Sequence, residues 1–217
     1  SSRPKKLLTE ASIIINCKAQ NLNAALDEYR ETDSYNFSFT VYESIIKCCK
    51  DAELFAEAAQ IFSDMRARGV EPSREICGII AVIYCKMGFP ETAHYLIDQL
   101  EANDMPLGDT SFHVSLIEAY GKLKEVEKAE SVVATIEHRY SVVGRTAWNA
   151  LMQAYALSGL YEKARAVFNS MMRNGPSPTV DTINNLMQAL IVDSRLNELY
   201  VLVQELQDMG FKISKSS

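Results

Sequence analysis

Apolar positions in this chain follow two rhythms, a short one of helical spacing and a long one that returns after about 35 residues. Between 145 and 179, Trp148, Leu151, Met152 and Tyr155 fall at i, i+3, i+4 and i+7, which predicts an amphipathic helix. Ser158-Gly159 interrupts it. A second helix is predicted from about Tyr161 to Arg173, with Ala164, Val167, Phe168 and Met171 on its apolar face. Gly175 suits the end of this helix, since glycine tolerates a left-handed backbone, and Pro176 and Pro178 are expected to prevent its continuation. The scheme returns upstream as His113, Leu116, Ile117, Tyr120, then Ala129, Val132, Val133, Ile136. It returns again as Cys77, Ile80, Ala81, Tyr84, then Ala93, Leu96, Ile97, Leu100, and downstream from Ile183 to Leu206. No period-two alternation marks a strand, and no hairpin signal competes.

The long rhythm is clearest in Leu160 to Thr179, where Ala164, Phe168, Met171, Gly175 and Pro178 are spaced 4, 3, 4 and 3. The same spacing occurs in Ala58, Phe62, Met65, Gly69 and Pro72. The anchoring small residue recurs as Ala25, Ala58, Ala93, Ala129 and Ala164, with Leu199 in the sixth place, at intervals of 33, 35, 36, 35 and 35. A small residue there lets paired helices approach closely where they cross. The predicted fold is all-α, an α-solenoid of stacked antiparallel helix-turn-helix pairs of about 35 residues. Residues 1–5 read as a basic tail, and 6–214 as six tandem repeats (6–38, 39–73, 74–109, 110–144, 145–179, 180–214). Residues 215–217 read as the start of a continuation, and the whole chain as a fragment of a longer array. The sixth repeat lacks a polar cap, which predicts further repeats after it and self-association through the exposed array end.

Composition narrows the chemistry. The 217 residues are 47% hydrophobic and 23% charged, ordinary for a globular or solenoid protein. A net charge of −6 supplies no global basic field, so any nucleic-acid surface must be local. Cys17, Cys48, Cys49, Cys77 and Cys85 form no CxxC pair and read as small core residues in a reducing compartment. The three histidines belong to no HxxxH, HxH or HxE pattern, so neither a metal site nor any other cofactor is expected. The longest apolar run, Cys77 to Cys85, is too short to span a bilayer, and no membrane partner is expected.

Packing separates the helical repeats of this length. A tetratricopeptide repeat needs a small residue one place after the first-helix leucine, where its two helices touch. That column here reads Ile13, Ile46, Ala81, Ile117, Met152 and Met187, of which only Ala81 is small. The TPLH-like turn of ankyrin repeats is absent. The stretches TAWNALMQAYALSGLYEKARAVFNSMMRNGPSPT (146–179), TVYESIIKCCKDAELFAEAAQIFSDMRARGVEPS (40–73) and SLIEAYGKLKEVEKAESV (115–132) resemble the pentatricopeptide repeat family, in its P-class form. The resemblance covers nearly the whole chain and is weakest in the first repeat.

That resemblance implies a right-handed superhelix that binds single-stranded RNA, one repeat to one base, inside an organelle. First helices would line the concave face, so that one column of side chains meets successive unpaired bases. Carried over, the base-reading column is Glu10, Glu43, Gly78, Val114, Asn149 and Asn184, closed by Ser38, Ser73, Asp109, Gly144, Thr179 and Ser214. Asn184 with Ser214 is similar to the family's cytidine-preferring pair, and Asn149 with Thr179 suggests a pyrimidine. A second column, Leu7, Thr40, Glu75, Ser111, Thr146 and Asp181, would sandwich the bases. Lysines at first-helix ends, Lys18, Lys86 and Lys122, would approach phosphate. The expected RNA-binding residues are therefore Asn149, Thr179, Asn184, Ser214, Thr146, Lys86 and Lys122. Glu10, Glu43 and Glu75 suit a polyanion poorly, so the first three repeats are expected to be scaffold or to face a protein.

The resemblance also implies a role without catalysis in intron splicing or transcript stabilisation, with protein partners in a processing complex. It places the protein in the chloroplast, with the mitochondrion as the alternative. A protein-binding scaffold with little RNA contact is the competing expectation. Family members that edit or cleave RNA carry an added catalytic domain, with HxE and CxxC zinc ligands in the deaminase case, and neither motif occurs here.

Overall fold

A computed structural model of the protein describes residues 2–32, 36–102 and 111–211. Among these residues there are twelve α-helices and no strand. They fall into two compact units, Ser1–Gly108 and Asp109–Ser217, each a stack of helical hairpins. In the first, α1 (Ser2–Lys18) pairs with α2 (Leu22–Glu31), α3 (Phe39–Asp51) with α4 (Phe55–Ala67), and α5 (Arg74–Lys86) with α6 (Pro90–Ala102). In the second, α7 (Ser111–Lys122) pairs with α8 (Val126–Tyr140), α9 (Arg145–Leu157) with α10 (Tyr161–Asn174), and α11 (Val180–Val192) with α12 (Leu196–Asp208). Ser2–Lys5, expected as a basic tail, is the first turn of α1.

The same turn closes every hairpin. One residue takes a left-handed backbone: Gln20, Glu53, Gly88, Lys124, Gly159 and Ser194, with φ between 57° and 83°. The next N–H then bonds a carbonyl five residues back, as in Leu54 to Cys49 and Leu160 to Tyr155, at 2.8–2.9 Å in all six. This Schellman geometry satisfies carbonyls that the ending helix leaves open. Only Gly88 and Gly159 in this set are glycines, so four of the six turns hold a side chain where glycine is the easier fit.

Gly175 departs from its expected conformation. Its φ of −99° is not left-handed. Glycine is required there for space, because a Cβ would lie 2.8 Å from the Cα of Met171.

In each unit the odd-numbered helices pack side by side, α1 with α3 and α3 with α5, then α7 with α9 and α9 with α11. Each of α2, α4, α8 and α10 packs on its own partner and on the next odd helix, so the core is continuous within a unit. The anchoring alanines Ala25, Ala58, Ala93, Ala129 and Ala164 are fully buried beside Phe62, Ile97, Ile136 and Phe168. Burying one such large side chain contributes about 1.5–3 kcal/mol, which is why the periodic apolar stripe dictates the stack. α7 and α9 approach closely at Gly121, where a Cβ would meet Ala154 Cβ at 2.7 Å. No described helix is long and apolar enough to cross a membrane.

Candidate nucleic-acid interface

Because α7, α9 and α11 lie side by side, their outward faces share one open cleft of about 340 Å³. On α9, Thr146, Asn149 and Gln153 recur at helical spacing and point into it, with Ala150 between them. α7 contributes Val114 and Glu118, and α11 contributes Asp181, Asn184 and Asn185. Thr146, Asn149 and Asn184, expected as RNA-binding residues, are thus brought to one cleft. Thr146 and Asn184 are exposed, and Asn149 is half-buried.

Asn149 is held by a hydroxyl network at the start of α11. Thr179 is the N-cap of that helix and forms a capping box with Thr182. Asn149 Nδ2 donates to Thr179 Oγ1 at 3.2 Å, and the Thr182 hydroxyl donates to Asn149 Oδ1 at 2.7 Å. The Thr179 N–H donates to Thr182 Oγ1 at 2.9 Å, and the Thr182 N–H to Thr179 Oγ1 at 3.4 Å. Asn185 Nδ2 donates to the main-chain oxygen of Asn149 at 3.2 Å, pinning α11 to α9. The expected pair of Asn149 and Thr179 is therefore in direct contact, and one Nδ2 proton and one Oδ1 lone pair remain for a ligand.

A second cluster fixes α9 from behind. Tyr155 Oη donates to Glu130 Oε1 at 2.8 Å, and Lys163 Nζ donates to the same oxygen at 2.7 Å. Lys163's hydrogen bond holds the Glu130 carboxyl below its ordinary value of 4.5 against the opposing effect of burial. Burial, then the bond to Glu130, pushes the Tyr155 hydroxyl up.

The remaining expected residues lie elsewhere. Lys122, exposed at the end of α7, does not line the cleft. Lys86 belongs to the first unit, where its Nζ sits 5.2 Å from the centre of the Phe55 ring. Ser214, the expected partner of Asn184, and Asp109 lie outside the described residues. The cleft also holds Asp181, from the sandwiching column, and Glu118, Asn185 and Gln153, and its hydrogen-bond network holds Thr182; the last four belong to none of the columns. The Thr179-x-x-Thr182 spacing is a capping signature and was the available signal for Thr182.

In the first unit the acidic column has internal partners. Glu10 is buried, and its Oε1 accepts from the Ser38 N–H at 2.9 Å, at the N-cap of α3. Lys47 bridges Glu43 at 2.9 Å and Glu75 at 2.8 Å, joining α3 to α5. Donating to Glu75, and then to Glu43, raises the ammonium's pKa. Glu10, Glu43 and Glu75 therefore brace successive repeats. Cys17 and Cys49 are buried free thiols, and desolvation pushes both up to about 12.

Family models of the PPR repeat match residues 40–70 and 113–137, and a model of the PPR repeat family matches 144–192. A chloroplastic pentatricopeptide repeat-containing protein of Arabidopsis thaliana is 51% identical over 156 residues, 70% of this chain and 11% of its own length. The chain belongs to the pentatricopeptide repeat family. A mitochondrial pentatricopeptide repeat protein of the same plant is 27% identical over 124 residues, 57% of this chain and 20% of that protein. The maize pentatricopeptide repeat protein PPR10, solved with an 18-nt psaJ RNA element, superposes with a TM-score of 0.73 at 18% identity. That match covers 92% of this chain and 29% of PPR10, and it supports the all-α helical-repeat fold. The chain thus spans a small part of the length of these relatives.

Proposed function

We propose that this pentatricopeptide segment binds single-stranded RNA without cutting it and contributes to organellar RNA processing, either intron splicing or transcript stabilisation. The observation that carries the reading is the Asn149 carboxamide, oriented by Thr179 and Thr182 and open to a cleft lined by Asn184, Asn185 and Gln153. Side-chain amides can both donate to and accept from base edges, and unpaired bases expose those edges. The cleft carries Glu118 and Asp181 and no lysine or arginine, so its chemistry suits base edges better than phosphates. The 51% identity to a chloroplastic relative supports the chloroplast as the compartment, and the mitochondrial relative keeps that organelle as the alternative. The helix ranges support six tandem repeats across 6–214. The exposed apolar face of α12 supports association of a second copy there.

Fluorescence anisotropy with pyrimidine-rich and purine-rich single strands tests the RNA reading. Asn184→Ala, at an exposed position, and Asn149→Ala should each weaken the preferred strand about fivefold or more, since one lost hydrogen bond contributes roughly 1 kcal/mol. Absence of binding to any strand at low salt overturns the proposal.

A further inference from the structure

Thr182 is out of character for its register. It is the third residue of α11, and the residues at the same place in α3, α5 and α9 are Val41, Ile76 and Ala147. All four are fully buried. An apolar residue fills this place in three helices, whereas in α11 the hydroxyl completes the capping box with Thr179. Burying a hydroxyl is unfavourable unless its hydrogen bonds are met. Here they are met, and one of them is made to a residue of the cleft.

The hydrogen bonds give the network a direction. Thr182 Oγ1 receives the Thr179 N–H, a group that can only donate, at 2.9 Å. The Thr182 hydroxyl donates to Asn149 Oδ1 at 2.7 Å, Asn149 Nδ2 donates to Thr179 Oγ1 at 3.2 Å, and the two threonine hydroxyl oxygens lie 3.1 Å apart. The carboxamide oxygen therefore faces Thr182 and its nitrogen faces Thr179. We infer that Thr182 is a positioning residue for base choice: its hydroxyl fixes which end of the Asn149 carboxamide is offered to the base in the cleft. This rests on the RNA-binding reading above. The reading unit then includes three residues, Asn149, Thr179 and Thr182. The third is buried beneath the cleft and touches no RNA.

Without the hydroxyl, the carboxamide can turn over and offer either end with similar ease. Discrimination should then fall while average affinity changes less. A buried residue with a purely structural role would weaken all bases together.

The test measures the dissociation constants of four single-stranded RNAs that differ only at the nucleotide whose binding Asn149→Ala affects. They are measured on the wild-type protein, Thr182→Val and Thr182→Ser, with thermal unfolding run alongside. Thr182→Val keeps the branched shape and removes the hydroxyl, and Thr182→Ser keeps the hydroxyl. The ratio between the worst and best base should shrink about fivefold or more in Thr182→Val, the range a directed base contact provides, and persist in Thr182→Ser. A ratio unchanged in Thr182→Val, or all four constants raised equally, overturns the inference and leaves the RNA reading standing. A wild-type protein that binds none of the four removes both.

Discussion

Side chains that resemble ligand contacts in this chain divide into those used within the fold and those left open. Glu130 belongs to the first kind. Its carboxylate accepts from Lys163 and Tyr155, and its pKa lies below 4.5 in the folded protein. A carboxyl lowered on folding adds stability above its unfolded pKa, and that stability is lost as pH falls through the folded value. Glu130 is 35% exposed, so the effect is discounted for solvent screening to about 0.5 kcal/mol. Glu130→Gln should therefore be less stable than wild type at pH 7, and the two should converge at acid pH, below the folded value of the carboxyl. Urea unfolding at both pH values checks this, and a gap that persists in acid contradicts it. Glu10 shows what the sequence conceals at this scale. Its place in a column with Ser38 was visible, but not that the Ser38 N–H, at the N-cap of α3, donates to its carboxylate. Thr182 was concealed differently, since a threonine inside an apolar stripe reads as core. Asn149 and Thr179 were legible because the family resemblance, carried over on the repeat spacing, places them in paired columns.

The period that sets the helices also sets the turns. The left-handed residues Gln20, Glu53, Gly88, Lys124, Gly159 and Ser194 keep the same intervals as the anchoring alanines. Only the two glycines announced that geometry in the sequence, because the turn is imposed at the other four by the helices packing on either side. A non-glycine residue in this conformation costs roughly 1–2 kcal/mol, and glycine loses about 0.5–1 kcal/mol more backbone entropy on folding. Lys124→Gly, at an exposed turn with φ 60°, should then stabilise the second unit by about 0.5 kcal/mol. Gly159→Ala, at φ 68°, should destabilise it by about the same amount or more. Denaturant titrations measure both, and a Lys124→Gly protein weaker than wild type refutes the argument. Gly175 limits the rule. Its place in the repeat suggested a left-handed cap, yet the constraint is the short distance to Met171, which only coordinates reveal.

At the scale of the whole molecule, polar side chains tie repeats together in both units, in the second through Glu130 with Lys163 and Asn185 with Asn149. In the first, Glu10, Glu43, Glu75 and Lys47 tie one repeat to the next. In the second, an amide-lined cleft opens across three helices. The net charge of −6 favours neither RNA nor self-contact, so any association must come from local surfaces. On α12, Leu196 and Tyr200 are 64% and 67% exposed, share one face at i, i+4, and adjoin Val201 at 53%. Contiguous apolar exposure of this kind marks an association surface. A second copy of the chain, the proposed occupant, would remove these side chains from water, and each would contribute up to about 1.5–3 kcal/mol. Light scattering across a dilution series should therefore show a mass that rises with concentration. A protein carrying Leu196→Asp and Tyr200→Asp should keep the monomer mass throughout, because two buried carboxylates without partners oppose the contact. A wild-type protein that remains monomeric at the highest concentration removes the association and leaves the RNA-facing cleft of α7, α9 and α11 unaffected.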